Sequence, residues 1–413
     1  MSRKCKTLLI LFRGTATLFR DSVRIGRRPR QRQAGSIAAR GASPVESTFS
    51  PQAENFDTLH YVSELTKRHS KVKDCRPITA RPIHRQESSR GGITMFAAVL
   101  RMLGKPPQCE QFPEPIAGDN EIVVHVHAAS LKPVDKQLAR GSHYASPREV
   151  PFVCGTDGVG HLSDGERVFF GGCRAPYGAM AQQTVVPRAF TFPVPDGMSD
   201  DVAAAIPNPG VSAWLALVFR AKLAPGENVL ILGATGVTGR LAVRIAKLLG
   251  AARVVAAGRD QEILNSLLPL GADAIIRLDM STKDLREAFL REAGVSGFQV
   301  VIDYVWGHPT EAFLSAITSR EFSKIKSEIR LVQVGESAGA TIALPAAVLR
   351  STALTILGTA GIPNHQVLAD ALQRVMTSAA SGELHVDTER VPLAEIEKVW
   401  GRDQQGRRFV VIP

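Results

Sequence analysis

Patterned cysteine, long apolar runs and internal repeats are all missing from this chain, and each absence excludes a class of protein. The five cysteines, Cys5, Cys75, Cys109, Cys154 and Cys173, are scattered with no CxxC spacing. Neither a disulfide framework nor a four-cysteine zinc lobe is expected, and a reducing compartment such as the cytoplasm is the simplest setting. No apolar stretch approaches the roughly 18 residues of a membrane span. The run Leu8 to Phe12 covers only five residues, too short for the apolar region of a secretory signal. No repeat recurs at solenoid periods.

Charge is also missing where the total suggests it. The 413 residues carry a formal +11, yet Met1 to Thr94 alone holds 19 Lys and Arg against 7 Asp and Glu, leaving 31 basic and 32 acidic residues beyond. The body is thus near neutral, and nothing in it points to nucleic acid. The basic N-terminal stretch, with Arg27-Arg28-Pro29-Arg30-Gln31-Arg32, lacks hydrophobic periodicity and is expected to be disordered. It reads either as a transit peptide, arginine-rich and acid-poor up to about Arg40, or as a leader upstream of a true start at Met95, where a strand begins at once. A transit peptide would place the protein in the mitochondrion.

The most informative residues present are Gly233-Ala234-Thr235-Gly236-Val237-Thr238-Gly239, between an apolar strand, Asn228 to Leu232, and an amphipathic helix that repeats Leu241, Ile245 and Leu248 and stops at Gly250. The first glycine permits a tight turn, the second lets the backbone approach a pyrophosphate, and the third lets helix pack on strand. The helix N-terminus adds unpaired N–H groups and partial positive charge. A second strand, Arg253 to Ala257, follows and ends in Gly258-Arg259. Arginine there suits a ribose 2′-phosphate and points to NADPH, while Asp260 either caps the next helix or serves the ribose instead.

From Met95 to about Val194 the pattern predicts short, mostly antiparallel strands at Phe96 to Leu100, Glu121 to His127, Gly165 to Phe170 and Ala181 to Val186. After Asn208-Pro209-Gly210, strands near 228, 253, 274, 299, 330 and 353 alternate with helices, which predicts a doubly wound parallel sheet. The tail reads as helices at Gln366 to Ala379 and Leu393 to Trp400 and a last strand, Arg408 to Ile412. The expected fold class is α/β, a β-rich domain plus a Rossmann domain. The boundaries are a 1–94 extension, a substrate domain at 95–208, an NADP-binding domain at 209–362 and a returning segment at 363–413.

In this order of parts, residues 95–413 resemble the medium-chain dehydrogenase/reductase superfamily, whose first domain is GroES-like. Ala129-Ser-Leu-Lys-Pro-Val-Asp135, Pro151-Phe-Val-Cys-Gly-Thr-Asp157-Gly-Val-Gly and the Gly233 to Gly239 turn are similar to its zinc-free quinone oxidoreductase branch, to which zeta-crystallin-like proteins belong. Where zinc-dependent members place metal ligands, this chain has Leu131 and Gly155-Thr156-Asp157, so no metal is expected. His125 and His127 share a strand face with no third ligand.

The resemblance implies direct hydride transfer from NADPH to a quinone or other α,β-unsaturated carbonyl. It also assigns roles. Ser212 matches a hydroxyl beside the cofactor, with a helix N-terminal serine as the alternative. Asp135 belongs in the pocket wall. Lys132 replaces an asparagine and either stabilises an oxyanion or points to solvent. Tyr144 is the general-acid candidate, although Gly141-Ser-His-Tyr144 is one residue longer than the family spacing, so His143 competes with it, as does water. Asp303 to Trp306 and Gly335 to Ser337 should face the cofactor. The sixth parallel strand, Ala353 to Leu357, implies a homodimer. A 2-enoyl-thioester reductase is the nearest alternative activity, and the zeta-crystallin likeness raises an RNA-associated role served by the extension.

Overall fold

The computed structural model describes residues 93–325, 328–359, 364–404 and 406–413. The expectations for the extension (disorder, processing, RNA binding) and the boundary drawn at residue 362 lie outside the described residues.

The first half is antiparallel, as expected. Its strands are β1 (Thr94–Leu100), β2 (Gln108–Pro113), β3 (Glu121–Ser130), β4 (Phe152–Val153), β5 (Asp157–His161), β6 (Arg167–Gly171), β7 (Gln183–Pro187) and β8 (Thr191–Pro193). β2, β1 and β4 form one small sheet, while β3, β5, β6 and β8 lie in order in a larger one, with β7 also on β3. In β3 the period of two is plain: Ile122, Val124 and Val126 are buried, whereas His125 and His127 point outward. β5 is not apparent from the sequence because Gly158 and Gly160 mimic a loop. Both are small by necessity, since a methyl group on Gly158 would lie 2.9 Å from Phe170 and one on Gly160 2.9 Å from Val124.

The second half is a parallel sheet of β9 (Asn228–Leu232), β10 (Arg253–Gly258), β11 (Ala274–Arg277), β12 (Val300–Asp303), β13 (Glu328–Gln333) and β14 (Ala353–Gly358). The order is β11-β10-β9-β12-β13-β14. Its central strands are continuous apolar runs because both faces are covered. Val229, Ile231, Val254 and Ile302 join the core under the helices Pro207–Trp214 and Val237–Leu248. Leu230, Leu232, Val255 and Val301 join the opposite core under the helices Thr282–Ala293 and Gly307–Ile317.

The tail then leaves this sheet. After the helix His365–Ala380, β15 (Thr388–Pro392) and β16 (Arg408–Ile412) pair with each other, and β16 pairs antiparallel with β3 through Val410–Ser130 and Val411–Ala129. The C-terminus is therefore part of the first half's sheet.

Candidate active site

The glycine turn does what its spacing predicts. Gly233 adopts φ +88°, and a methyl group there would lie 2.9 Å from Val305 and 3.1 Å from Tyr304. Its N–H and that of Ala234 donate to the Ala257 carbonyl at 2.9 and 2.8 Å, tying the turn to β10. A side chain on Gly239 would strike the Gly233 carbonyl and come within 2.6 Å of Ala234, so helix and strand meet at backbone distance. Gly236 is the N-cap of Val237–Leu248. Over it the nearest atom to an added Cβ is 3.6 Å away, so space remains just where the first-turn N–H groups of Val237, Thr238 and Gly239 lack intrahelical acceptors. This opening fits a pyrophosphate.

At the end of β10, Thr235 packs directly on Gly258: a Cβ added there would lie 2.9 Å from its hydroxyl oxygen and closer still to its methyl. Arg259 and Asp260 are exposed. Asp260 is a helix cap, its carboxylate accepting from Ile263 N at 3.0 Å. Arg277 stands beside Gly258 in the neighbouring strand. It hydrogen bonds Asp279 and, with further help from the Arg259 charge, holds that carboxyl below its ordinary range.

At the carboxyl ends of β12 and β13, the Asp303 carboxyl is buried and pushed up by that burial. It accepts from Val305 N at 2.9 Å, Trp306 N at 2.8 Å and Thr310 Oγ1 at 2.5 Å. Those bonds fix a turn in which Trp306 takes φ +55° and packs on the core beneath the helices of the second face. Gly335 donates to the Asp303 carbonyl at 3.1 Å, and a Cβ on it would lie 2.7 Å from the Tyr304 carbonyl. The Tyr304 hydroxyl is buried without a hydrogen-bond partner among the described residues.

A cavity of about 450 Å³ lies between the antiparallel sheet and the helix Pro207–Trp214. Phe169, Phe190 and Phe192 wall one side; Asn208, Val211, Ser212 and Leu215 come from the helix; Thr156 and Asp157 add polar groups. Ser212 sits in the last turn of that helix, which removes the N-terminal alternative and places its residue on the lining.

Lys132 and Asp135 stand elsewhere than expected. Lys132 is only 2% exposed, so it does not point to solvent. Its Nζ donates to Ser130 O at 2.9 Å, Ser130 Oγ at 3.2 Å and Asp157 Oδ1 at 3.0 Å. An ammonium has three protons, and all have acceptors inside the protein. Asp135 is buried behind the cavity rather than in its wall, because its oxygens accept from the backbone N–H of Lys132 at 2.7 Å and of Thr156 at 3.1 Å. Burial pushes the Lys132 ammonium down, but Asp135 and Asp157 more than offset this and hold it above its usual range. Arg408, buried on β16, adds a second cation, lowered by its own burial.

Asp157 links this cluster to the cavity. Its other oxygen accepts from Thr156 Oγ1 and from Asn208 Nδ2, each at 3.0 Å. Asn208 was legible only as a boundary before a helix; its role depends on Asp157, 51 residues away. Tyr144 is 95% exposed and stacks on His143 at 4.1 Å. Neither ring is on the cavity lining; Tyr144 stands in solvent and His143 is half-buried beside it. His127 contacts His161 at 3.0 Å and Asp200 at 3.2 Å. Among the described residues no three His, Cys, Asp or Glu gather to hold a metal ion.

No protein-family model matches the chain. Rat quinone oxidoreductase-like protein 2 is 28% identical over 318 residues, which is 73% of this chain and 86% of the relative. Pig quinone oxidoreductase is 30% identical over 203 residues, 46% of this chain and 59% of its own length. The structure of a Thermus thermophilus quinone oxidoreductase, also solved with NADPH, superimposes with a TM-score of 0.62 at 28% identity over 78% of this chain and all of that one. By these comparisons the chain is similar to quinone oxidoreductases and shares their two-part fold. A mycobacterial quinone oxidoreductase at 20% identity, with a TM-score of 0.68 over 77% of this chain, shares the fold. The returning tail contributes Arg408 to the charge cluster behind the cavity, so the first and last segments of the described fold meet there.

Proposed function

We propose that this protein is an NADPH-dependent, zinc-independent oxidoreductase that reduces a quinone or another α,β-unsaturated carbonyl, working as a homodimer. The observation that carries the reading is the opening over Gly236, where the backbone leaves space beside free helix N–H groups. The named activities of the relatives, and the NADPH complex of the Thermus protein, support it. Bound NADPH supplies the hydride.

The chain's own residues bind, orient and exclude water. The N–H groups of Val237, Thr238 and Gly239 hold the phosphates, with Gly233, Ala234, Thr235 and Gly236 shaping the turn and Gly335 keeping the neighbouring strand end close. Gly258 leaves Arg259 clear to hold a 2′-phosphate. The three phenylalanines offer a dry, flat wall for a planar acceptor. Asp157 takes one amide proton of Asn208; the second, with the Ser212 hydroxyl, is the donor set for an acceptor oxygen that gains negative charge. Lys132 and Asp135 act as positioning residues for Asp157 and Thr156.

The test is NADPH oxidation by the full-length protein with a quinone panel and an enoyl-CoA panel. The expected result is turnover of quinones at least tenfold above that of enoyl-CoA. Rapid enoyl-CoA reduction with negligible quinone turnover would make the protein an enoyl-thioester reductase instead.

A further inference from the structure

The helix His365–Ala380 opens on Asn364 as its cap, the Asn364 side chain accepting from Val367 N at 3.0 Å. Residues three and four apart share a helix face, so His365, Leu368 and Leu372 stand on one side. The two leucines line the cavity. His365, one turn nearer the helix start, is carried past the cavity's rim and onto the first half of the chain.

There it meets the aromatic wall. Phe190 and Phe192 alternate with Thr191 and face the same way, and both line the cavity. The His365 ring lies nearly parallel to Phe192, with ring centres 5.6 Å apart and planes 14° apart, and stands edge-on to Phe190 at 5.9 Å and 88°. Offset-parallel and edge-on are the favoured arrangements of flat rings. His365 Nε2 also hydrogen bonds the Ala189 carbonyl. A carbonyl only accepts, so Nε2 carries the proton.

These contacts join distant parts of the chain. Ala189, Phe190 and Phe192 belong to the antiparallel half, whereas His365, 176 residues after Ala189, begins the returning segment. The same contacts fix two of the three phenylalanines on which an acceptor would rest. His365 itself is exposed and is not on the lining, so it acts through the wall and not on the acceptor.

We propose that His365 is a positioning residue that holds Phe190 and Phe192 against the cavity, and that through them it favours flat-ring acceptors over acyclic ones. A flat ring makes contact across the whole aromatic face, so a wall free to tilt loses it many close atom pairs, while a short enal covers little of that face. The kinetic half of this inference rests on the oxidoreductase reading; the binding half does not.

The test titrates the full chain calorimetrically with 2-naphthol, a flat two-ring molecule that accepts no hydride. It also measures KM and kcat for menadione and the binding constant of crotonaldehyde, a short acyclic enal, as acceptor or as competitor. His365→Ala should weaken naphthol binding about threefold to tenfold, the size of one hydrogen bond between neutral groups. It should raise KM for menadione by a similar factor with kcat within about twofold, and leave the constants for crotonaldehyde and NADPH within about twofold. His365→Phe keeps a ring without the N–H and His365→Gln keeps a donor without the ring, so each should recover part of the lost affinity. Unchanged naphthol binding in His365→Ala, an equal loss for menadione and crotonaldehyde, or a matching loss of NADPH affinity would each overturn the inference, the last by making His365 a brace for the cofactor cleft. If naphthol binding depends on His365 but neither acceptor is reduced, the oxidoreductase reading fails and the binding half stands.

Discussion

In the reading proposed above Arg259 carries the cofactor preference almost alone, and its setting makes that testable. Asp260, the neighbouring acid that could have served a ribose hydroxyl, is held in a helix cap by its bond to Ile263 N. Gly258 is compelled to be small by Thr235, which keeps the strand end low beside the arginine. A charge-assisted hydrogen bond contributes about 1.5–3 kcal/mol. Arg259→Ala should therefore weaken NADPH by about tenfold to a hundredfold and leave NADH within about threefold. Fluorescence titration of the two reduced cofactors measures this, and equal losses would remove Arg259 from the 2′-phosphate site.

What the sequence made legible was local. The glycine turn, the helix behind it and the six parallel strands each rest on neighbours within a few residues, where propensity and period act directly. What escaped was assembled across the fold. Lys132 read as an oxyanion stabiliser or a solvent-facing cation, and only the meeting of the end of β3, the helix Pro133–Arg140 and β5 surrounds it with Ser130, Asp135 and Asp157. The π-helix at Leu215–Arg220 escaped for a related reason: its residues carry no composition that separates them from an α-helix.

The Lys132 cluster joins the end of β3, the helix Pro133–Arg140, β5 and the tail, so removing its central cation should be felt by all of them. Lys132→Met strands two buried carboxylates, and breaking a buried ion pair costs about 3–5 kcal/mol. Urea unfolding should show a loss of that size, and Asp157→Asn in the same chain should recover part of it because the two residues are coupled. The pH dependence has a definite sign. A lysine held above its ordinary range in the folded state stabilises fully below about pH 10.4, and that contribution is lost as pH rises through the higher folded value. The unaltered protein should lose stability above that pH more steeply than Lys132→Met; parallel slopes would place the lysine outside the linkage.

For the molecule as a whole the open question is the free edge of the parallel sheet. Among the described residues β14 pairs only with β13, and none of its six residues is fully buried. An edge of six residues with apolar neighbours invites pairing with another strand. A two-fold axis laid against it would join two copies antiparallel and extend one sheet through both, which is the homodimer proposed above. The protein should then sediment at twice its 44.5 kDa. Successive N–H groups of a strand point to opposite edges, so of Leu354→Pro and Thr355→Pro one removes an outward donor and the other a donor to β13. The first should give a folded monomer and the second a destabilised protein, distinguished by sedimentation together with thermal unfolding. A single 44.5 kDa species from the unaltered chain at micromolar concentration would mean that the edge is left unpaired and that the dimer, if one forms at higher concentration, is built on another face.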